Sequence, residues 1–142
     1  MTLVIDASVA LKWFVDEDGS EQAARLLTGP DSLIAPDLVV AELCNAGWKA
    51  VRTGGMTEAQ HDHATARVAL AFDELVPLSP LAPRAVALSR LLDHPVYDCF
   101  YLALAEQRDA RTVTADQRLI RRLRGTTWEP LALDLRRMTP GQ

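Results

Sequence analysis

Four acidic side chains lie within otherwise apolar segments that are far apart in the sequence: Asp6, Glu42, Asp98 and Asp116. A buried carboxylate is costly unless a cation compensates its charge. Two unit charges about 4 Å apart at an effective dielectric of about 20 repel by roughly 4 kcal/mol, so converging acids need a counter-ion. Mg2+ and Mn2+ prefer oxygen ligands. The pattern therefore predicts a site for a hard divalent cation.

Each acid also has a structural explanation of its own. Asp6 and Asp116 could cap the helices that follow them, and Asp98 could complement a helix dipole near its N-terminus. Glu42 could point outward with Lys49 at helical spacing. The joint pattern favours a common site, because independent segments bring all of these acids to the same edge of one predicted sheet.

Strands alternate with helices along the whole chain. Buried strands are predicted at residues 2–5, 32–35, 75–78, 111–114 and 130–133. Helices are predicted at residues 7–14, 21–27, 36–55, 57–72, 83–92, 97–106 and 117–123, with a capping box formed by Thr57 and Gln60. Because parallel neighbours need crossover connections, this alternation predicts an α/β fold, with a mostly parallel sheet of about five strands between helices. Ligands of such sheets bind beyond the carboxyl ends of the strands, where the acids are expected to meet.

The composition is typical of a globular domain. With 142 residues, of which 49% are hydrophobic, the chain is predicted to form a single domain over residues 1–142. No apolar run approaches the roughly 20 residues that span a bilayer, so a cytoplasmic protein without membrane association is expected. Cys44 and Cys99 are too few for a disulfide framework and are expected to be buried free thiols. Residues 139–142 are expected to fray.

Charge is segregated along the chain. Residues 1–110 carry 8 basic and 16 acidic side chains, net −8, whereas residues 111–142 carry 7 arginines and 3 acids, net +4. The sum of −8 and +4 is the −4 of the whole chain. A compact arginine group follows Asp116: Arg118, Arg121, Arg122 and Arg124. This group either places positive charge beside the predicted metal site or forms a solvated helix face.

Other common chemistries are disfavoured. The histidines His61, His63 and His94 have no companion cysteines and form no H-E-x-x-H motif, so zinc is disfavoured and solvent-facing side chains are expected. No G-x-x-x-x-G-K-[ST] or G-x-G-x-x-G motif occurs among the seven glycines, which disfavours the common nucleotide-binding loops. Ser8 lacks a surrounding G-x-S-x-G elbow, so covalent serine catalysis is disfavoured.

Four motifs occur in order along nearly the entire chain: Val4-Ile5-Asp6-Ala7-Ser8, Ala41-Glu42-Leu43, the segment 96–105 around Asp98, and Thr114-Ala115-Asp116 with Leu119. Together they resemble the PIN-domain ribonucleases and, within that family, the VapC-type toxins of bacterial toxin-antitoxin systems. The resemblance implies a three-layer α/β/α sandwich, clustered acids that bind Mg2+ or Mn2+, and cleavage of RNA. It also implies a 3'-hydroxyl leaving group and a 5'-phosphate product.

The resemblance further implies a role for each acid. Asp6 and Asp98 are expected to be the most direct metal ligands. Asp116 completes the site, and Glu42 supports the ligands or a bound water. Two small polar residues match positions near the metal in the family: Ser8 and Thr114. These two either orient ligands or water, or are ordinary residues at a helix start and a strand end.

The family resemblance also implies partners: an RNA substrate, a cognate antitoxin and a second copy in a homodimer. The large apolar residues Trp13, Phe14 and Trp48 are expected in the core, the alternative being an exposed patch for an amphipathic antitoxin segment. Other functions remain open alongside the toxin. They are an RNA-processing PIN nuclease without a toxin role, a noncatalytic module with a structural metal, and a receiver-like domain that accepts phosphate on aspartate.

Overall fold

The structure, a computed structural model, describes residues 1–139. Its strands are β1 (Thr2–Ile5), β2 (Ser32–Pro36), β3 (Glu74–Val76), β4 (Arg111–Thr114) and β5 (Ala132–Asp134). Its α-helices are α1 (Ala7–Ala10), α2 (Ser20–Thr28), α3 (Leu38–Arg52), α4 (Glu58–Arg67), α5 (Ala82–Leu92), α6 (Val96–Arg108) and α7 (Gln117–Leu123). Short 3-10 helices cover Leu11–Trp13, Val68–Ala71, Ser79–Leu81, Glu129–Leu131 and Leu135–Arg137. Residues 140–142, most of the segment expected to fray, lie outside the described residues.

The strands pair in the order β3-β2-β1-β4-β5, and every pair of neighbours is parallel. The chain moves one way across the sheet from β1 to β3 and the other way from β3 to β5. Because crossovers between parallel strands are right-handed, this reversal places α1 to α4 on one face and α5 to α7 on the other. The predicted three-layer α/β/α sandwich with a parallel sheet of five strands is confirmed.

The reversal of direction occurs between the neighbouring strands β1 and β4. Connections leave the carboxyl ends of these two strands toward opposite faces, which opens a crevice between them. The backbone N–H of Asp6 donates to the carbonyl oxygen of Val113 at 3.1 Å, so the two strand ends lie side by side. In open α/β sheets this is the position at which ligands usually bind.

The core is built around β1 and α6. Val4 and Ile5 are fully buried, as expected for a central strand that is covered on both faces. Helix α6 buries an almost continuous run, Tyr101 to Ala105, and packs against β1, β2 and β4 as well as α5. The prediction that this helix is packed on several sides is confirmed.

The ends of several elements differ from the predicted ones. The helix predicted to reach residue 72 ends as an α-helix at Arg67 and continues as the 3-10 helix Val68–Ala71. The third and fifth strands are shifted by one or two residues from their predicted positions. The predicted capping box is present, because Thr57 Oγ1 accepts from the Gln60 backbone and the Gln60 side chain accepts from the Thr57 backbone.

The two histidines of α4, His61 and His63, differ in their exposure to solvent. His63 is exposed, as predicted. His61 is half-buried, and its Nε2 lies 2.9 Å from the carbonyl oxygen of Cys44. A Cβ at Gly47 would lie 2.4 Å from the His61 ring, so the glycine allows the imidazole to approach α3. The prediction of a solvent-facing His61 is wrong for this reason.

The large apolar residues also divide. Trp13 and Phe14 are half-buried and pack against the core, as expected. The expectation of a core position is wrong for Trp48, which is 50% exposed and has the Arg52 guanidinium 4.8 Å above its ring. Cys99 is a buried free thiol as predicted, and Cys44 is a half-buried one.

Within residues 1–139, the helices are all too short or too polar to cross a membrane. The single domain over residues 1–142 stays a prediction.

Candidate metal centre

We use the name carboxylate cluster for the predicted acids Asp6, Glu42, Asp98 and Asp116. Asp6 follows β1 directly, and Asp116 follows β4 after a single residue. Glu42 lies near the start of α3 and Asp98 in the first turn of α6. In a parallel α/β fold the helices run against the strands, so their N-termini lie at the carboxyl edge of the sheet. Helices from both faces therefore bring their acids to the crevice beyond β1 and β4.

Asp6 is buried and is held by two hydroxyls. Its Oδ2 accepts from Thr114 Oγ1 at 2.6 Å and from Ser8 Oγ at 3.0 Å. The Ser8 hydroxyl in turn accepts from the backbone N–H of Ala115, and that of Thr114 accepts from the N–H of Asp116. Ser8 and Thr114 thus join the ends of β1 and β4 and orient the Asp6 carboxylate. The side chain of Asp6 makes no capping hydrogen bond to α1.

The pKa of Asp6 is raised to about 6. Burial is the largest cause, and the charges of Asp98 and Asp116 raise it further, against the lowering effect of the Thr114 and Ser8 hydrogen bonds. Burial favours the neutral carboxyl, and so does a nearby negative charge. Keeping the Asp6 carboxylate charged at this position is therefore costly, and a bound cation would offset that cost.

Asp98 is half-buried, and its Oδ2 lies 2.6 Å from Nε2 of His94. Burial is the largest cause of its raised pKa, which the His94 hydrogen bond and the charge of Arg118 oppose and the charge of Asp116 supports. The prediction of a solvent-facing His94 is wrong, because this side chain is only 7% exposed. His94 and Asp98 are four residues apart across the start of α6, and this spacing is the signal that could have found the pair.

Glu42 is half-buried and accepts a hydrogen bond at 2.6 Å from the hydroxyl of Tyr101 on α6. It does not point outward, and the bond joins helices from the two layers. The pKa of Glu42 is raised to about 7, mainly by burial and also by the charges of Asp6 and Asp98, while the Tyr101 bond lowers it. Tyr101 was not singled out from the sequence, because a tyrosine in an apolar run is usually a core residue.

Asp116 caps a helix and also lies within electrostatic reach of other acids of the cluster. Its Oδ1 accepts from the backbone N–H of Arg118 at 2.9 Å, so it caps α7. Its charge also raises the pKa of both Asp6 and Asp98, so it belongs electrostatically to the same cluster. Capping and membership in the site are therefore compatible.

The carboxylate cluster has a regular hydrogen-bonding pattern. Each carboxylate has one oxygen held by protein donors, and within residues 1–139 no hydrogen bond reaches the other oxygen. No buried side-chain oxygen or nitrogen of the described residues lacks a partner, so these second oxygens must reach the surface. An anchored carboxylate with one accessible oxygen is suited to binding a hard cation.

The side chains are close enough to act on one another's pKa, yet they do not surround a single point. Among the described residues, no group of three or more His, Cys, Asp or Glu side chains is already arranged around a metal position. Mutual repulsion between carboxylates without a counter-ion opposes such an arrangement. The oxygen donors fit Mg2+ or Mn2+ by type, and the assignment of the cluster as the metal site stays a prediction.

Comparison with known proteins identifies the family. The profile of the PIN domain matches residues 3–125, a span that includes the whole carboxylate cluster. The chain belongs to the PIN-domain family. Ribonuclease VapC3 of Pyrobaculum aerophilum is 33% identical to this PIN domain over 121 residues, which are 84% of this chain and 92% of that protein. The resemblance to VapC-type proteins that the motifs indicate is thereby confirmed.

Solved structures show the same fold. VapC20 of Mycobacterium tuberculosis, a toxin that cleaves the sarcin-ricin loop, matches with a TM-score of 0.63 and 15% identity over 80% of this chain and 87% of that one. A toxin-antitoxin complex from Klebsiella pneumoniae matches with a TM-score of 0.65 and 15% identity over 94% of this chain and 97% of that one. At such identities the likeness concerns the PIN fold alone.

Proposed function

We propose that this PIN domain is an endoribonuclease that depends on Mg2+ or Mn2+ and serves as the toxin of a toxin-antitoxin pair. The observation that carries the proposal is the carboxylate cluster at the carboxyl edge of β1 and β4, where each acid has one anchored and one accessible oxygen. The 33% identity to a protein named Ribonuclease VapC3 supports RNA as the substrate. Membership in the PIN family disfavours the receiver-like alternative.

The residues of the cluster have separate tasks in the proposed reaction. A bound Mg2+ or Mn2+ would supply a Lewis acid that lowers the pKa of water and offsets phosphate charge. Asp6 and Asp98 would hold it most directly, with Asp116 completing the site. Glu42 would support the ligands or a water. In this scheme the 3'-hydroxyl is the leaving group and the 5'-phosphate stays on the product.

Hydrogen-bond donors around the cluster orient the carboxylates for this task. Ser8 and Thr114 keep Oδ2 of Asp6 turned toward β4, and His94 holds Oδ2 of Asp98. Tyr101 holds Oε1 of Glu42. Such outer contacts fix the direction of ligands and typically change metal affinity or activity by about 10- to 100-fold when lost. These residues position the ligands and are not themselves catalytic.

The proposal is tested by incubating the purified protein with RNA and separating the products. We expect cleavage with Mg2+ or Mn2+, none with EDTA, and none from Asp6→Asn, which keeps an oxygen for the Ser8 and Thr114 hydroxyls but removes the charge. Restored activity after metal is added back to the EDTA-treated protein is the control against irreversible damage. Cleavage that persists in EDTA and in Asp6→Asn would contradict the proposal.

The toxin role implies an antitoxin partner, and we further propose a homodimer, as the family resemblance implies, and a cytoplasmic location. Trp48, half exposed on α3, is a candidate contact for a partner helix. Expression in a host should stop growth, and co-expression with an antitoxin encoded beside the gene should restore it. Growth arrest without such relief, or RNA cleavage without growth arrest, would favour an RNA-processing nuclease instead.

A further inference from the structure

A cleft beside the carboxylate cluster is lined by residues of two elements: Asp93, His94, Pro95, Arg118, Arg121 and Arg122. We call it the arginine cleft. Its volume is about 420 Å³, within the range of about 300–1,000 Å³ that is common for sites of small ligands. One wall is the loop between α5 and α6, and the other is α7. The cleft contains three guanidinium groups and one exposed carboxylate, so its charge is positive in an acidic protein.

Arg122 differs from the other arginines because it maintains the cleft. Its Nε donates to the carbonyl oxygen of Leu92, its NH2 group donates to the carbonyl of Asp93 at 3.4 Å, and it lies 3.6 Å from the Asp93 carboxylate. Asp93 has a φ of 49°, a left-handed conformation that aspartate adopts more readily than most residues other than glycine, and it ends α5. Arg122 therefore fixes the loop wall and partly neutralises the acid within it.

Arg118 and Arg121 do not hold the loop in this way. Within residues 1–139, neither guanidinium makes a hydrogen bond or an ion pair, although both are exposed on a chain with more acids than bases. They are three residues apart on α7, so they lie on the same face of the helix, while Leu119 and Leu123 are buried in the core. The guanidinium groups of Arg118 and Arg121 thus lie at an open cleft and have no hydrogen-bond or ion-pair partner within residues 1–139.

The cleft adjoins the proposed reaction centre. Nε2 of His94, part of its wall, lies 2.6 Å from Oδ2 of Asp98, and the backbone N–H of Arg118 donates to Asp116 at 2.9 Å, so both walls touch the carboxylate cluster. A polyanion that approaches the carboxylate cluster meets several negative charges, and the arginine cleft is the adjacent surface that attracts it. The planar guanidinium matches phosphate oxygens with paired hydrogen bonds.

On these grounds, and resting on the proposed nuclease function, we propose that the arginine cleft binds a backbone phosphate of the RNA next to the scissile one, through Arg118 and Arg121. This contact positions the RNA and does not depend on its base sequence. An acidic peptide of a protein partner is the competing occupant. The position beside Asp98 favours RNA, because a substrate has to lie there during the reaction.

Binding of a fluorescein-labelled single-stranded RNA, measured by anisotropy in EDTA at several KCl concentrations, tests the cleft without cleavage. The double variant Arg118→Gln/Arg121→Gln should weaken binding by about tenfold or more, because charge-assisted hydrogen bonds are lost. Because the two arginines hold a single phosphate, losing this contact should lower the slope of log affinity against log salt by about 0.7. Circular dichroism should show an unchanged fold, since both side chains are exposed.

Arg124→Gln is the control for the loss of a positive charge near the end of α7, because it removes one guanidinium that borders a different cavity. The proposal is overturned if the double variant binds RNA like Arg124→Gln, or if the unmodified protein does not bind RNA. It is also overturned if an oligoglutamate peptide displaces the RNA as well as unlabelled RNA of equal charge does.

Adding Mg2+ to the same samples separates this proposal from the nuclease function. Cleavage by the unmodified protein together with unchanged binding by the double variant would reject the cleft and keep the nuclease. Binding that depends on both arginines without any cleavage in Mg2+ or Mn2+ would keep the cleft and reject the nuclease.

Discussion

Acidic side chains occur in two opposite electrostatic settings in this molecule. On the surface, Glu74 faces Arg108 and Glu106 faces Arg84, each through paired hydrogen bonds of 2.7–3.0 Å. These surface ion pairs lower the pKa of both glutamates. In the carboxylate cluster the pKa values of Asp6 and Glu42 are instead raised, to about 6 and about 7.

The difference lies in what surrounds the acids. The surface glutamates have arginine partners and solvent, whereas the cluster has hydroxyls, one imidazole and other carboxylates. No lysine forms a hydrogen bond or an ion pair with a cluster acid among the described residues, and the charges that lower the pKa of Asp98 are those of His94 and Arg118. The arginine partners of Glu74 and Glu106, set against four partly or fully buried acids that lie together, favour a bound cation as the counter-charge of the cluster.

The largest expected effect separates the two settings by activity on RNA. Asp98→Asn should reduce the rate of cleavage by about a thousandfold. The substitution removes a carboxylate that would hold the metal ion, and such an ion contributes several kcal/mol of transition-state stabilisation. Glu106→Gln, on the same helix but in a surface ion pair, is the control and should change the rate by less than about twofold. Rates are measured with saturating Mg2+. Equal effects of the two substitutions would remove the distinction on which the comparison depends.

The next effect concerns pH and the metal-free protein. The pKa of Asp6 is raised from 3.8 to about 6, so between these values the native state binds more protons than the unfolded state. The contribution of Asp6 to the free energy of unfolding is therefore fully present below about pH 4. It is lost as the pH rises through about 6, by about 3 kcal/mol in total. Denaturant unfolding in EDTA across this range measures it, and Asp6→Asn should lack this loss.

Glu74→Gln provides the control of opposite sign for the pH series. The lowered pKa of Glu74 contributes stability above its unfolded value that disappears as the pH falls, so its removal should affect the acid side of the profile. A profile of Asp6→Asn that parallels the unmodified protein would show that Asp6 is not strained in the metal-free state.

The smallest effect tests how Glu42 is held. Tyr101→Phe removes the hydroxyl that donates to Glu42, and above pH 7 it should lower the free energy of unfolding by about 1–2 kcal/mol. Tyr97→Phe deletes the same group from an exposed position on the same helix, 58% accessible, and should stay within about 0.5 kcal/mol. Similar losses from both tyrosines would mean that the Tyr101 hydroxyl does not stabilise Glu42.

Much of the fold could be predicted because local patterns determined it. Strand β4 and helix α7 have the bounds that the apolar periodicity predicts, and the capping box of Thr57 and Gln60 forms as the spacing requires. The reversal of strand order between β1 and β4 could not be derived from periodicity, because it depends on which strands pair over long sequence separations. The alternation of strands and helices predicted the parallel sheet between helices, the family resemblance implied the same architecture, and neither gave the strand order.

The site could be predicted less completely. The acids were found because charge is unusual in apolar segments, but their hydrogen-bond donors were not. His94 was expected in solvent, although its four-residue spacing from Asp98 is a signal for the contact, because the burial of the pair depends on how the loop folds back onto α6. Tyr101 reaches Glu42 across 59 residues, and no local spacing encodes that contact.

The central claim is that the carboxylate cluster binds a divalent cation through its accessible oxygens. The most direct measurement is the anomalous scattering of Mn2+ in crystals grown or soaked with that ion. The account predicts a strong peak at about 2.1 Å from oxygens of Asp6 and Asp98, with Asp116 or Glu42 joining directly or through water. A peak elsewhere, or none while the cluster is exposed to solvent in the crystal, would contradict it.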